Sequence, residues 1–261
     1  MNQYIWQRQT YSDLAKKYNK SKKWIQTKLD EVEVKNIVKL SPQSLVVVAD
    51  VTFFSRVKGL CIFREPNLKK NIWWKFTLYE KVSIYQQGKE HLEKNGFKIE
   101  AIILDGKIGV RQVFSDIPVQ MCHFHQKQIV LRYLTSNPKL EASIELKNIT
   151  ATLSNTNEEL FTEELNQWHD EWQDFLKEKT INPETGRWCY THKRLRSAYR
   201  SLKTNLPYLF TYQKYPNLNI PNTTNSLDGY FNVLKSKLNV HRGLNRDRAK
   251  RVVIELLKGR N

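Results

Sequence analysis

Three aspartates stand where the surrounding sequence offers no structural need for a charge. Asp50 interrupts the apolar run Leu45–Phe54 (LVVVADVTFF), and Asp105 closes the run Phe97–Leu104 (FKIEAIIL). Asp228 lies in the amphipathic stretch TTNSLDGYFNVLKSKL that begins at Thr223. A carboxylate in an apolar strand is costly unless it is paired, hydrogen-bonded or bound to a metal. One such acid can be satisfied locally at a strand end, and a helix acid can face solvent. Three brought to a point would repel one another and would be stabilised by a hard divalent cation, which takes oxygen ligands. Two such ions about 3.5–4 Å apart can activate a nucleophile and stabilise the leaving oxygen of a phosphoryl transfer. Cys122 and His125, in CHFHQK, follow the second acid. As a pair without close companions they make a weak zinc signal, and they read either as groups beside the acids or as a buried thiol and a satisfied histidine.

The elements that must position these groups can be read from periodicity. Val46, Val47 and Val48 are β-branched in a run that suits a strand buried on both faces. Gly59–Pro66 and Ile72–Glu80 are two further strands, and the three in succession predict an antiparallel meander. Ser83–Asn95 reads as a helix capped by Ser83 and closed by Gly96. Phe97–Leu104 is a buried strand, Gly106 allows a tight turn, Ile117–Met121 is a short strand, and Phe124–Leu134 is a helix. This order predicts an α/β fold with an RNase H-like mixed sheet, its first strand central and its fourth beside it. From Thr135 to about Asn219 strand signals stop. Asn155–Lys179 carries Leu160, Phe161, Leu165, Trp168, Trp172, Phe175 and Leu176 at helical spacing until Pro183 and Gly186 break it. Trp188–Leu202 follows as a strongly basic helix, with His192, Lys193, Arg194, Arg196 and Arg200 as a solvated face or a phosphate-contacting one. A helix capped by Thr223 or Thr224 carries Asp228, and Asp247–Lys258 forms the last. The boundaries drawn are 1–40 for a helix-turn-helix segment, 41–134 with 221–261 for the core, and 135–220 for an all-helical insertion.

Charge indicates the partner. The 261 residues hold 43 Lys and Arg against 26 Asp and Glu, a formal net charge of +17. Such an excess suits a polyanion, nucleic acid being the usual one. An anionic membrane is disfavoured, because no long uncharged apolar segment exists and the start, MNQYIWQRQT, is polar. Cys61, Cys122 and Cys189 are odd in number and far apart, which argues for a reducing cytoplasm. Near the N-terminus, Thr10 caps a first helix with Leu14, Ala15 and Tyr18 inward, and Asn19 and Lys20 make a turn. Ser21 caps a second helix with Trp24, Ile25 and Leu29 inward. This helix-turn-helix pattern presents Ser21, Lys22, Lys23, Gln26 and Lys28 to DNA, or else forms an ordinary hairpin with a basic face. Nine residues precede it, so a supporting helix is expected from elsewhere in the chain, or the sequence is truncated. After Asp228, Lys235, Lys237, His241 and Arg242 are further candidates for holding a DNA strand, each equally readable as solvated.

Four stretches together, VVVADVTFF, AIILDGKIGV, CHFHQ and TTNSLDGYFNVLKSKLNVHRGL, resemble the Mutator-like (MULE-type) transposases of bacterial insertion sequences, over about Ser44 to Leu257. The resemblance implies a DDE/D-type transposase with Asp50, Asp105 and Asp228 as catalytic acids holding Mg²⁺ or Mn²⁺. It also implies that Cys122 and His125 matter beside them. The family usually has Glu at the third acid, and Asp228 is one methylene shorter. The implied partners are double-stranded DNA at transposon ends and target, with no membrane, a homodimer on DNA, and a nucleoid-associated place in the bacterial cytoplasm. The alternative is a transposase-derived DNA-binding protein that keeps the fold without the chemistry.

Overall fold

The structure, a computed structural model, describes residues 1–32, 40–54, 58–241 and 243–258. In chain order it runs α1 (Asn2–Ile5), α2 (Tyr11–Tyr18), α3 (Lys22–Glu31), β1 (Ser44–Phe54), β2 (Lys58–Glu65), β3 (Lys70–Thr77), α4 (Val82–Lys94) and β4 (Lys98–Leu104). There follow α5 (Val110–Val113), β5 (Val119–Met121), α6 (His123–Leu134), α7 (Glu141–Thr152), α8 (Glu158–Lys177), β6 (Lys179–Ile181) and β7 (Trp188–Tyr190). The chain ends with α9 (Lys193–Leu209), α10 (Thr211–Lys214), α11 (Asn225–Val240) and α12 (Arg246–Leu257). The fold is α/β. Five strands form one mixed sheet in the order β3-β2-β1-β4-β5, with β1 in the centre. β1, β2 and β3 are an antiparallel meander, with Asp50 opposite Ile62, and β4 pairs parallel to β5. The chain divides into two compact units, Met1–Ile99 with Asn225–Asn261, and Glu100–Thr224.

In the first unit, β1 buries Leu45 through Ala49 without a break, as a strand covered on both faces must. α2 begins with a reciprocal cap: the Asp13 N–H donates to Thr10 Oγ1 at 3.2 Å and the Thr10 N–H donates to Asp13 Oδ2 at 2.8 Å. Asn19 ends it in the left-handed region (φ 50°), and Ser21 Oγ accepts from the Trp24 N–H to start α3. The support for this pair comes from the far end of the chain. Arg248 on α12 grips Asp30 with Nε at 3.0 and 3.1 Å and Nη2 at 2.5 Å, and Arg251 donates to the carbonyls of Leu29 and Val32. This geometry corrects the inward face assigned from periodicity: Ile25 and Leu14 are buried, but Trp24 is 41% and Tyr18 47% exposed. α12 is tied in turn to the sheet edge, where Asn71 donates to the Leu257 carbonyl. α4 starts at Val82 after Lys81, without a side-chain cap, so Ser83 lies inside the helix and does not cap it.

In the second unit, α6, α7, α8 and α9 enclose a core that includes Met121, Val130, Leu146, Phe161, Trp168, Leu202 and Phe210. Buried polar groups stitch it together. Gln120 donates to the Leu209 carbonyl at 2.8 Å and accepts the Tyr212 N–H at 2.9 Å. Arg111 donates to Asn205, Asn205 to Gln126, and Gln126 to Ser201. The stretch expected to be all helical contains a hairpin, β6–β7. Pro183 and Gly186 mark its turn, where Asn182 Oδ1 accepts the Glu184 and Thr185 N–H groups at 2.8 and 3.1 Å. Thr180, Ile181, Trp188 and Tyr190 are β-branched or aromatic and suit its short strands. Among the described residues, no helix is long and apolar enough to cross a membrane.

His241 is 6% exposed, its ring 3.9 Å from that of Tyr4, and its Nε2 has no hydrogen-bond partner. It is therefore a packing group, neither the solvated residue nor the candidate DNA contact that the sequence left open. Burial holds its imidazole below the ordinary value, and His123 shifts in the same direction for the same reason. The neutral ring is thus the folded form. As pH falls below about 6.5 the unfolded chain takes up a proton that the folded chain refuses, so stability falls toward and through the depressed folded value. Thermal unfolding should show the melting temperature declining from about pH 6.5 downward, and the decline should be shallower in His241→Phe, which keeps the ring packing and removes the proton site.

Candidate functional site

Asp50 lies in β1 just past its unbroken buried run: Ala49 is buried, Asp50 and Val51 are half-buried, Phe53 is exposed, and Thr52 and Phe54 are buried again. Its Oδ1 accepts the N–H of Val51 at 2.6 Å, which fixes the carboxylate against its own strand. α11 carries Asp228 in its first turn, where the helix dipole favours an anion. Buried Leu227, Phe231 and Leu234 set the rotation of α11, which packs on β1. The result is that Asp50 and Asp228, far apart in sequence, bring carboxylate oxygens within 4.8 Å of each other. Two negative charges at about 4 Å repel by about 1 kcal/mol where water screens them and by roughly 4 kcal/mol at an effective dielectric near 20, and half-buried groups lie toward the screened limit. A hard divalent cation between them reverses the sign of that interaction and suits their oxygen donors. The Cys61 thiol, fully buried on β2, is pushed well up by burial and by the negative charges of Asp50 and Glu80. Held protonated in this way, it packs as a small apolar group.

The second unit arranges the other acid and the Cys-x-x-His pair. Asp105 follows β4 directly, half-buried, and its Oδ1 accepts the Lys107 N–H at 3.0 Å. Gly106 turns the chain there with φ +90°, a conformation that favours glycine. Cys122 is fully buried at the start of α6. Its Sγ receives the Thr224 N–H at 3.3 Å and lies 3.3 Å from Thr224 Oγ1, which is 3.4 Å from His125 Nδ1. Burial alone would raise the thiol, but hydrogen bonds from His125 and Thr224 outweigh it and hold the group below its ordinary value. The two neighbouring histidines separate cleanly. His123 is fully buried with Nε2 on the Leu209 carbonyl at 2.6 Å and its ring edge-on to Phe210 and Tyr212. His125, two residues on, is half-buried and borders Thr224. His123 is therefore a packing group, and His125 is the one of the two that is partly open to solvent. Thr224 is the group that sequence reasoning missed: the doublet Thr223–Thr224 signals a helix start, and nothing in it signals a partner 102 positions away.

Of the DNA-contact candidates, Lys22 and Lys23 are exposed, Gln26 and Lys235 are half-buried, and Ser21 is engaged as the cap of α3. Exposed Trp24 carries Lys20 and Lys28 over its ring, each 5.9 Å from the centroid. Lys237 donates to the Trp6 carbonyl at 3.2 Å. Arg242 lies outside the described residues. No family model matches the chain, and a comparison with curated proteins finds none that matches.

The close pair of acids makes a direct prediction. Without divalent ions, Asp50→Asn or Asp228→Asn should raise the melting temperature by a few degrees, since relieving about 1 kcal/mol shifts it by roughly 2–4 °C in a chain of this size. Millimolar Mg²⁺ or Mn²⁺ should raise that of the wild type and leave either variant unmoved, as a ligand that binds only the folded state stabilises only a protein that can bind it. Scanning fluorimetry with and without a chelator reads both effects.

Proposed function

We propose that this protein is a metal-dependent DNA-acting enzyme, a DDE/D-type transposase with an RNase H-like core. The observation that carries the reading is the approach of the Asp50 and Asp228 carboxylates to within 4.8 Å. The sheet order supports it: β1, bearing Asp50, is central, and β4, which runs into Asp105, is its neighbour. Asp50 and Asp228 would hold a divalent cation, Mg²⁺ or Mn²⁺, through their carboxylate oxygens. Asp105 keeps its place in the reading as the acid at the end of β4. When bound, the cation would lower the pKa of a water or a DNA 3′-hydroxyl and offset charge on the leaving oxygen.

The protein's own groups do the remaining work. The Val51 N–H orients Asp50, and Thr224 orients both the Cys122 thiol and the His125 ring, so the donor atoms are fixed before substrate arrives. Exposed lysines on α3 (Lys22 and Lys23) with the half-buried Gln26 would bind duplex DNA as a helix-turn-helix does, with Arg248 and Arg251 of α12 bracing the unit from behind. The net charge of +17 favours the encounter. No covalent protein intermediate is needed, since nucleophile and leaving group are both oxygens of DNA or water.

The test uses labelled duplexes made from the DNA that flanks the gene. Wild-type protein with Mg²⁺ or Mn²⁺ should cut one strand to leave a 3′-hydroxyl and then join it to a second duplex. Asp50→Ala and Asp228→Ala should each lose more than about 100-fold in rate, the loss typical of removing one preorganised electrostatic group. Binding without metal-dependent cutting would contradict the enzyme reading and favour the transposase-derived DNA-binding one. Cutting unchanged in both variants would overturn the residue assignment.

A further inference from the structure

We infer that hairpin β6–β7 and the adjoining face of α9 form a binding surface for single-stranded DNA. This surface needs neither the acids nor a cation. The hairpin register pairs Lys179 with Tyr190 and Ile181 with Trp188, which places these four side chains on one face. That face is open: Trp188 is 56% and Ile181 66% exposed. With Lys179 and Tyr190 they make an aromatic and apolar shelf open to solvent. The aromatics are already arranged with cations. Lys179 sits 4.2 Å from the Trp188 centroid, Trp188 meets Tyr190 edge-on at 5.4 Å, and the Arg196 guanidinium lies 3.6 Å from the Tyr190 centroid.

Arg196 also links the hairpin to α9. Its Nη1 donates to the Leu176 carbonyl at 2.7 Å, which pins the guanidinium and leaves its other N–H groups free to donate. From Arg196 the helix repeats basic groups at one-turn intervals, Arg200 and Lys203, on the same side. The whole of α9 carries Lys193, Arg194, Arg196, Arg200 and Lys203 and no acid. The acid that precedes the hairpin, Glu178, is held by His192 at 3.0 Å. Between α8 and α9 these cations border a cavity of about 210 Å³ floored by Tyr199 and His169, whose rings stack at 4.7 Å. That volume falls short of the roughly 300–1,000 Å³ that encloses a drug-sized molecule. It suits one backbone phosphate of a longer chain better than a free nucleotide.

Charge alone would fit duplex as well as single strand. The exposed Trp188 decides between them, because base faces are available for stacking only where they are unpaired, and aromatic shelves with interleaved cations are how non-specific single-strand surfaces work.

Fluorescence anisotropy of the full chain in a chelator, with a labelled 15-nucleotide oligothymidylate and a blunt duplex of equal length, tests this without any cleavage. Loss of nicking therefore cannot be confused with loss of this surface. Trp188→Ala should weaken oligothymidylate binding by about 5- to 150-fold, the range for one stacked base, and change duplex binding less than about twofold, while Trp188→Phe should keep most of the affinity. Arg200→Ala with Lys203→Ala should reduce the salt slope on the single strand by about 1.4, at roughly 0.7 per phosphate contact. Three results would each overturn the inference: Trp188→Ala binding oligothymidylate like wild type, equal losses on single strand and duplex, or an unchanged salt slope in the double variant. Trp188, Arg200 and Lys203 are exposed, so far-UV circular dichroism should confirm that every variant keeps the fold.

Discussion

The structure turns on a repulsion it does not avoid. Asp50 and Asp228 could have been kept apart by a small rotation of α11, yet Leu227, Phe231 and Leu234 are buried and fix the helix in the one phase that aims Asp228 at β1. Apolar burial of three large side chains, each contributing roughly 1.5–3 kcal/mol, exceeds the repulsion of two half-solvated carboxylates. The sheet contributes the other half of the constraint. β1 is central and buried without a break from Leu45 through Ala49, and Asp50 is the first residue past that run. Packing energy thus holds the two carboxylates close, the arrangement that the proposed cation would bridge.

The same logic organises the surrounding groups. A buried thiol at Cys122 would ordinarily be an inert hydrophobe, but the Thr224 N–H and hydroxyl and the His125 ring give it partners. Glycine at position 106 lets the chain turn directly after Asp105. At the N-terminal helices, the ion pair Arg248–Asp30 holds α3 by its last turn and leaves its basic face open.

Much of this was legible in the sequence, and the reasons it was or was not are physical. Asp50 could be singled out because a charge in a valine-rich strand is anomalous at short range. The ends of α2 and α3 could be read because caps are local: Thr10 with Asp13, and Ser21 before its helix, each act within three residues. The meander and the central place of β1 followed from strand order. The errors came from long-range packing. Tyr18 shares the helical phase of Leu14 and Trp24 lies one residue from Ile25, and the grip of Arg248 on Asp30, 218 positions away, shows which side of the pair is covered. The hairpin β6–β7 escaped because its strands are three residues long and largely exposed, so no alternation of burial signals them. His123 and His125 could not be told apart in sequence, since their difference lies in which one faces Leu209 and which faces Thr224.

The central claim is that the acid pair is a cation site. Its most direct test replaces the cation with Fe²⁺ and supplies ascorbate and peroxide, so that hydroxyl radicals generated at the bound iron cut the nearest backbone. The account predicts fragments with new ends beside residues 50 and 228, suppressed by excess Mg²⁺ and absent from Asp50→Asn. Cleavage elsewhere in the chain, or cleavage at these positions that Asp50→Asn leaves intact, would contradict it.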